Sequence, residues 1–432
     1  MLLSRMRLPF CVLMLGCAPA SGTTPDVVEL QAPSAVAPAL PVATSRLGPL
    51  ERGVIEHVGA EDAFGDSFGN ALAMNADGSV LAIGAWSTPS KGFDSPGKTD
   101  FTGTAYIYTR DEAGWHKAAT LPPPHPQAAM GIQVAVSADG RTIVAAAMGV
   151  SQPDGTDLGA AERGLLMVYG RSGSGWAETA RIVTEEKYGF FGHALAMTAD
   201  GKTIAVGAFK NRGGAVHVYT ERDGAWPQTA RLTGDEESDG LGHQVALSAD
   251  GKVLVASEPF TGDLGAVRVY HATHDGWKLT AHLTGPEGTP NFLFGASLAL
   301  SADGKRLAIN GMQRGAGGGA AVHVYSLSNE RVVPDGIIES PSGKGEFGDA
   351  LSWSADGRVL LIAARTSADL QGIVYRYERR GAWMMSRQIN LPAEGFVYFG
   401  QRVAVTADGS TALISADRQA TGGGAVFVMP LQ

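Results

Sequence analysis

One turn constrains this chain more than any other feature. Ala-Asp-Gly occurs seven times, with its aspartates at Asp77, Asp139, Asp200, Asp250, Asp303, Asp356 and Asp408, spaced 62, 61, 50, 53, 53 and 52 residues apart. Nine residues before each aspartate stands a large apolar residue followed by glycine: Phe68, Met130, Phe191, Leu241, Phe294, Phe347 and Phe399. A β-branched run with a closing aromatic follows each turn, ending at Tyr108, Tyr169, Tyr219, Tyr270, Tyr325 and Tyr377, and at Met429 in the last copy. A fourth segment starts at Trp115, Trp176, Trp226, Trp277 and Trp383; the fifth copy has no tryptophan near Val332. Period-2 alternation with Gly and Asp breaks reads as strands and hairpins, and no segment carries a helical period. Four short strands in a unit of this length predict an all-β chain, a seven-bladed β-propeller of four-stranded antiparallel blades.

The seventh copy lacks room for its fourth strand, because the sequence runs only 24 residues past Asp408. Arg52 to Val58 resembles the missing piece. The N-terminal strand is therefore expected to complete the last blade, which closes the ring and removes an exposed edge. In the first strand of each copy, Leu72, Val134, Leu195, Val245, Leu298, Leu351 and Val403 share one face. The next residue is alanine in six copies and Ser352 in the sixth. Large residues on one face and small on the other let neighbouring sheets approach closely.

The repeating unit, Phe-Gly before the turn, Gly-Ala after it and a Gly-Ala-Val-x-Val-Tyr strand, resembles the FG-GAP repeat of integrin α-subunit propellers and bacterial surface proteins, most clearly at Phe68-Gly69 with Gly84-Ala85 and at Phe191-Gly192 with Gly207-Ala208. The resemblance covers residues 51–432 and implies a binding or adhesion module. The Ser-Ala-Asp-Gly-Lys turns also look like those of TolB-type propellers, an alternative that implies a subunit of an envelope complex. The FG-GAP resemblance often brings calcium bound through D-x-[DN]-x-D-G. Here Ala73, Ala135, Ala196, Ala246, Ala299, Ser352 and Ala404 replace the first carboxylate. One carboxylate per loop is a poor site for an ion that takes six to eight oxygens, so no calcium and no other cofactor is expected.

Residues 1–17, MLLSRMRLPFCVLMLGC, place Arg5 and Arg7 before a short apolar run. This is the layout of a secretory signal and is too short to span a bilayer. Gly16-Cys17 resembles a bacterial lipobox, which implies acylation of Cys17 and a lipid-anchored protein of the cell envelope, at the outer membrane. Cleavage after Ala20 is the alternative and leaves the protein secreted or periplasmic. Residues 18–50 are rich in Ala, Pro, Ser and Thr and read as a disordered tether; residues 51–432 form the ring. Cys11 and Cys17 are the only cysteines, so the ring has no disulfide. The net charge of −9 argues against nucleic acid or an anionic bilayer surface as partner. A monomeric ring that touches the membrane only through its anchor is expected.

Two motifs with chemical associations lack their context. Gly92 to Thr99 fits a phosphate-loop pattern, but a strand follows instead of the helix whose amides would face phosphate. Gly65 to Gly69 fits the nucleophile-elbow pattern, but Ser67 precedes a strand. Asp235 to Asp239 reads as a solvated acidic loop.

Function is expected on the face where the loops vary. Trp86 to Phe101, Met148 to Arg163 and Gly311 to Gly319 differ in length and composition, whereas the opposite turns are nearly uniform. Specificity commonly sits on variable loops over a fixed scaffold. Trp86, Phe93 and Phe101 are candidate exposed anchors for a protein or glycan. Just after the apolar-Gly pair, Asn70, His193, His243, Asp349 and Gln401 occupy equivalent places and form a candidate polar ring at the channel mouth. The leading expectation is a non-catalytic binding propeller. An enzyme or small-ligand site at the mouth is the alternative.

Overall fold

The computed structural model describes residues 29–31, 53–56, 67–86, 102–125, 128–148, 163–173, 175–187, 189–210, 213–235, 240–287, 292–312, 320–328, 331–342, 347–367, 370–418 and 424–431. All regular structure among them is β, in thirty strands grouped into seven sheets. Blade one is β3 (Ala71–Met74), β4 (Val80–Ala85), β5 (Thr104–Asp111) and β6 (Gly114–Leu121), paired antiparallel in chain order. Five further blades repeat that order, and their first strands are β7 (Met130–Val136), β11 (Ala194–Met197), β15 (Val245–Leu247), β19 (Leu298–Leu300) and β23 (Phe347–Trp353). In blade seven, β28 (Val403–Val405) pairs with β29 (Thr411–Arg418), and β29 with β30 (Gly424–Pro430). The outer strand of that blade is β2 (Gly53–Glu56), antiparallel to β30 with Ile55 opposite Val426. The fold is thus a seven-bladed propeller closed by its N-terminal strand, as the repeat arithmetic predicts.

The sequence pattern assigns residues 29–31 to the tether. The structure instead lays β1 (Glu29–Gln31) parallel to β18 (Gly276–Thr284) of blade four, as a fifth strand. Cys17 and the remainder of the tether lie outside the described residues.

Seven apolar clusters hold the ring, one between each pair of neighbouring blades. Leu72 packs into the cluster shared with blade seven, beside Leu413 and Val428, while Ala73 packs toward blade two. Leu195 and Ala196 divide in the same way between the preceding and following interfaces. Ser352, the exception to the alanine pattern, accepts the Val405 N–H of the next blade through its hydroxyl at 3.2 Å.

The apolar-Gly pair is the wedge of this packing. Phe68, Phe294, Phe347 and Phe399 are fully buried, and Met130 and Leu241 fill the same place in their copies. The following glycine is left-handed in every blade; Gly242, for example, has φ 91°. A side chain there would sit 2.4 Å from the Ala215 carbonyl oxygen, so only glycine fits.

Each Asp-Gly turn is built the same way. Ser248 donates its hydroxyl to Asp250 at 2.7 Å, the Lys252 N–H donates to the same carboxylate, and the Val253 N–H donates to the Ser248 oxygen. Asn75 takes the serine's part in blade one. The turn alanine adds a bond between blades: its N–H donates to the carbonyl of the next blade's turn alanine. This links Ala76 to Ala138, Ala138 to Ala199, Ala199 to Ala249, Ala249 to Ala302 and Ala355 to Ala407, at 2.8–3.1 Å.

Candidate functional site

The two faces of the ring differ in kind. On the turn face the polar groups are spent on one another, seven times over. Two clefts open there. One of about 410 Å³ lies between blades seven and one, against Trp115, Asp77 and Asp408. The other, about 790 Å³, is lined by Arg306, Arg358, Glu378 and Arg380.

The opposite face gathers side chains of several kinds around the channel mouth. Each blade contributes from two places: the residue after the apolar-Gly pair, and the end of the second strand. In blades three and four the first place gives His193 and His243. Their rings lie 5.0 Å apart, and His193 Nδ1 is 3.1 Å from the His243 carbonyl oxygen. The second place gives Phe209, 4.6 Å from the His193 ring and 5.2 Å from that of His243, and nearby Phe260, 5.4 Å from His243. Phe190 packs on Phe209, and the Lys210 amine lies 4.4 Å over the Phe190 ring. This half of the mouth is an aromatic wall.

Both imidazoles keep partial contact with the channel while protein surrounds them. Burial lowers His193 to about 4, with the Arg402 and Lys210 charges pressing the same way against the bond to His243. Burial, followed by His193, lowers His243 to about 3. Both are therefore neutral at pH 7. Among the described residues neither ring is hydrogen-bonded to a carboxylate, hydroxyl or thiol, so the pair lacks the orienting partner of a catalytic dyad.

Blades six and seven make a charged half. Asp349 accepts from Arg365 Nε at 3.0 Å, with side-chain exposures of 15% and 21%. Arg402 follows Gln401 on the inner edge of blade seven and donates Nη1 to the Gln401 carbonyl at 2.9 Å. Burial lowers its pKa, and so does Arg365; Asp349 and Asp417 oppose them. Gln401 holds its side-chain oxygen buried without a partner. Asn70 is buried and donates to the Ile132 carbonyl at 3.2 Å, which ties blade one to blade two. The expected polar ring is thus two imidazoles on an aromatic wall, one ion pair, one amide beside a guanidinium, and one structural asparagine.

Trp86, expected to stand exposed, is half-buried. It directly follows β4, in the row that Phe209, Arg365 and Asp417 occupy in other blades, and so belongs to the mouth. Phe93 and Phe101 lie outside the described residues. Asp235 is more than a solvated acid: it accepts Arg268 Nη2 at 2.6 Å. Arg268 also donates Nε to the fully buried Glu258 at 2.8 Å, and His282 Nε2 meets the same carboxylate at 2.8 Å.

Arg402 carries a signal in the sequence: it is the one charged residue among the seven second positions after the glycine, where the others are Ala71, Gln133, Ala194, Gln244, Ser297 and Ala350. Phe209, Arg365 and Asp417 each stand nine residues after their turn aspartate, and Phe260 ten after its own, a spacing that could have marked this row.

No family model matches the sequence, and neither does any curated protein. Solved structures match over most of the chain. The β-propeller domain of Cps50 (Swd1) from Myceliophteria thermophila is 12% identical with a TM-score of 0.58, over 88% of this chain and 100% of that one. Hydrazine synthase from Kuenenia stuttgartiensis is 14% identical with a TM-score of 0.56, over 89% and 99%. A putative 6-phosphogluconolactonase from Bacteroides uniformis is 16% identical with a TM-score of 0.52, over 75% and 85%. At such identities the likeness is one of fold.

Proposed function

We propose that this chain is a non-catalytic binding propeller of the bacterial envelope, FG-GAP-like in its repeat, anchored by lipid on Cys17. It engages a protein or glycan through the face that carries the channel mouth. One observation supports the choice of face. The turn face repeats the same spent hydrogen bonds in each blade, whereas the mouth draws unlike side chains from different blades onto one rigid rim. A rigid frame with individual groups is what selective binding needs.

The test is photo-cross-linking in intact cells, with a photoreactive phenylalanine on the mouth face at Trp86 or at Met312, which ends the second strand of blade five, and on the turn face at Lys252 or at Arg141, whose N–H donates to the turn Asp139. Adducts from the mouth positions alone are expected. Adducts from the turn positions alone, or from neither face, would refute the reading. In the same cells Cys17→Ser is expected to move the protein from the membrane fraction to the soluble one.

A further inference from the structure

We infer that the channel mouth holds a small polyhydroxylated anion, an acidic sugar, whose charged group is taken by Arg402 and whose ring packs on the His193–Phe209 wall. The inference rests on the binding face proposed above and names the ligand class for it.

Three observations carry it. Arg402 is a half-buried guanidinium whose only side-chain bond runs to the carbonyl of its neighbour Gln401. Among the described residues it has no ion pair, because Asp349, the carboxylate beside it, is engaged by Arg365. Asp349 and Asp417 act on its charge without pairing with it, and its remaining N–H groups are not buried, so an anionic ligand group can accept from them. Second, the charged side chains described at the mouth are Arg365, Arg402 and Lys210 against Asp349 and Asp417. Three cations against two carboxylates leave the described part of the mouth one charge positive.

Third, the groups opposite the cation suit a hydroxylated ring rather than a bare ion. His193 and His243 are neutral, and each leaves Nε2 unbonded and outside the buried set, ready to exchange a hydrogen bond with a hydroxyl. Phe209 stands against both imidazoles and offers a flat apolar surface. The Gln401 amide oxygen has no partner to lose on turning toward a ligand. The acid is either a carboxylate on the sugar or a phosphate ester, and the guanidinium fork suits both.

The experiment is calorimetric titration of the full chain with sodium glucuronate, glucose 6-phosphate and glucose. Saturable binding of at least one anion is expected, with no detectable heat from glucose; the tighter anion identifies the acidic group. Arg402→Gln should weaken binding by about tenfold or more, the usual cost of a charge-assisted bond, and leave the melting temperature unchanged. Phe209→Leu should weaken it several-fold. If Arg402→Gln proves unstable, Arg402→Lys keeps the charge, loses the fork, and should bind more weakly than the wild type. Equal affinity for glucose, wild-type affinity in Arg402→Gln, or no binding of either anion overturns the inference. Cross-links from the mouth without anion binding would sink the ligand assignment alone; loss of those cross-links would sink the face as well.

Discussion

The backbone N–H of Ala249 donates to the carbonyl oxygen of Ala302, 2.8 Å away in the next blade. Neither residue is in a strand, yet their bond and its four counterparts stitch one face of the ring together. The stitching is interrupted between blades five and six and between blades seven and one, because among the described residues Ala302 and Ala407 donate no such bond. The 410 Å³ cleft opens at the second of these gaps.

Amide exchange should read this pattern directly. The Ala76, Ala138, Ala199 and Ala249 amides lie in surface turns but are bonded across blades, so they should exchange slowly. The Ala302 amide should exchange faster by roughly an order of magnitude or more, since opening costs it no bond. Equal protection at Ala249 and Ala302, measured by NMR, would show that the bond contributes nothing.

Gly242→Ala tests the wedge. The new methyl meets the Ala215 carbonyl oxygen at 2.4 Å while the backbone stays at φ 91°. The two penalties together should cost about 2–4 kcal/mol. Gly114→Ala carries a positive φ of 116° with nothing within 4 Å, and should cost clearly less. Urea titration of both variants separates clash from backbone strain.

Glu258 and Arg268 form a buried ionic contact, with side-chain exposures of 0% and 7%. Arg268→Met leaves Glu258 buried beside His282 with no guanidinium, and should destabilise by about 3–5 kcal/mol. Adding Glu258→Leu should recover most of that loss, because the uncompensated charge disappears with it. Chemical denaturation of the two variants checks the order. A double variant no more stable than the single one would contradict it.

The architecture was readable in the sequence because its determinants are local and repeated. Asp250-Gly251 makes a turn through its own side chain and φ, and Leu241-Gly242 needs glycine for one close contact. Each blade states these rules again. The alanine ring was not readable, since every residue carries the N–H and C=O that form it. The parallel pairing of Glu29–Gln31 with His282–Thr284 had no alternation to announce it. At the mouth, His193 and His243 were found because they share one repeat position. Phe209 also holds a fixed place, nine residues after its turn aspartate, but the residues there are unlike from copy to copy, and Phe260 lies one residue beyond it, so no shared residue type marks the row. Arg268 and Glu258 each looked like ordinary strand polar residues; only cross-strand geometry makes them a pair.

Acid should weaken the ring in two stages. His193 and His323 are lowered to about 4 and His243 to about 3, in each case chiefly by burial. Their ordinary value is 6.5. Above that pH neither the folded nor the unfolded chain carries these protons, and stability is flat. Between about 6.5 and 4 the unfolded chain binds protons that the folded chain refuses. Stability therefore falls as pH falls, by up to about 1.4 kcal/mol per pH unit for each histidine. The turn aspartates act lower. The Ser79 hydroxyl holds Asp77 below 3.8, Ser137 does so for Asp139, and Thr406 for Asp408. Their contribution is present above that value and is lost as pH drops through their lowered range. Melting temperatures at pH 7, 6 and 5 should decline steadily. The ring protons of all three histidines should stay at their neutral chemical shifts down to pH 5. His323 has both nitrogens buried without a partner, packed against Phe294, so His323→Leu should flatten part of the decline. A melting temperature unchanged from pH 7 to 5 would mean that these imidazoles are not held neutral by the fold.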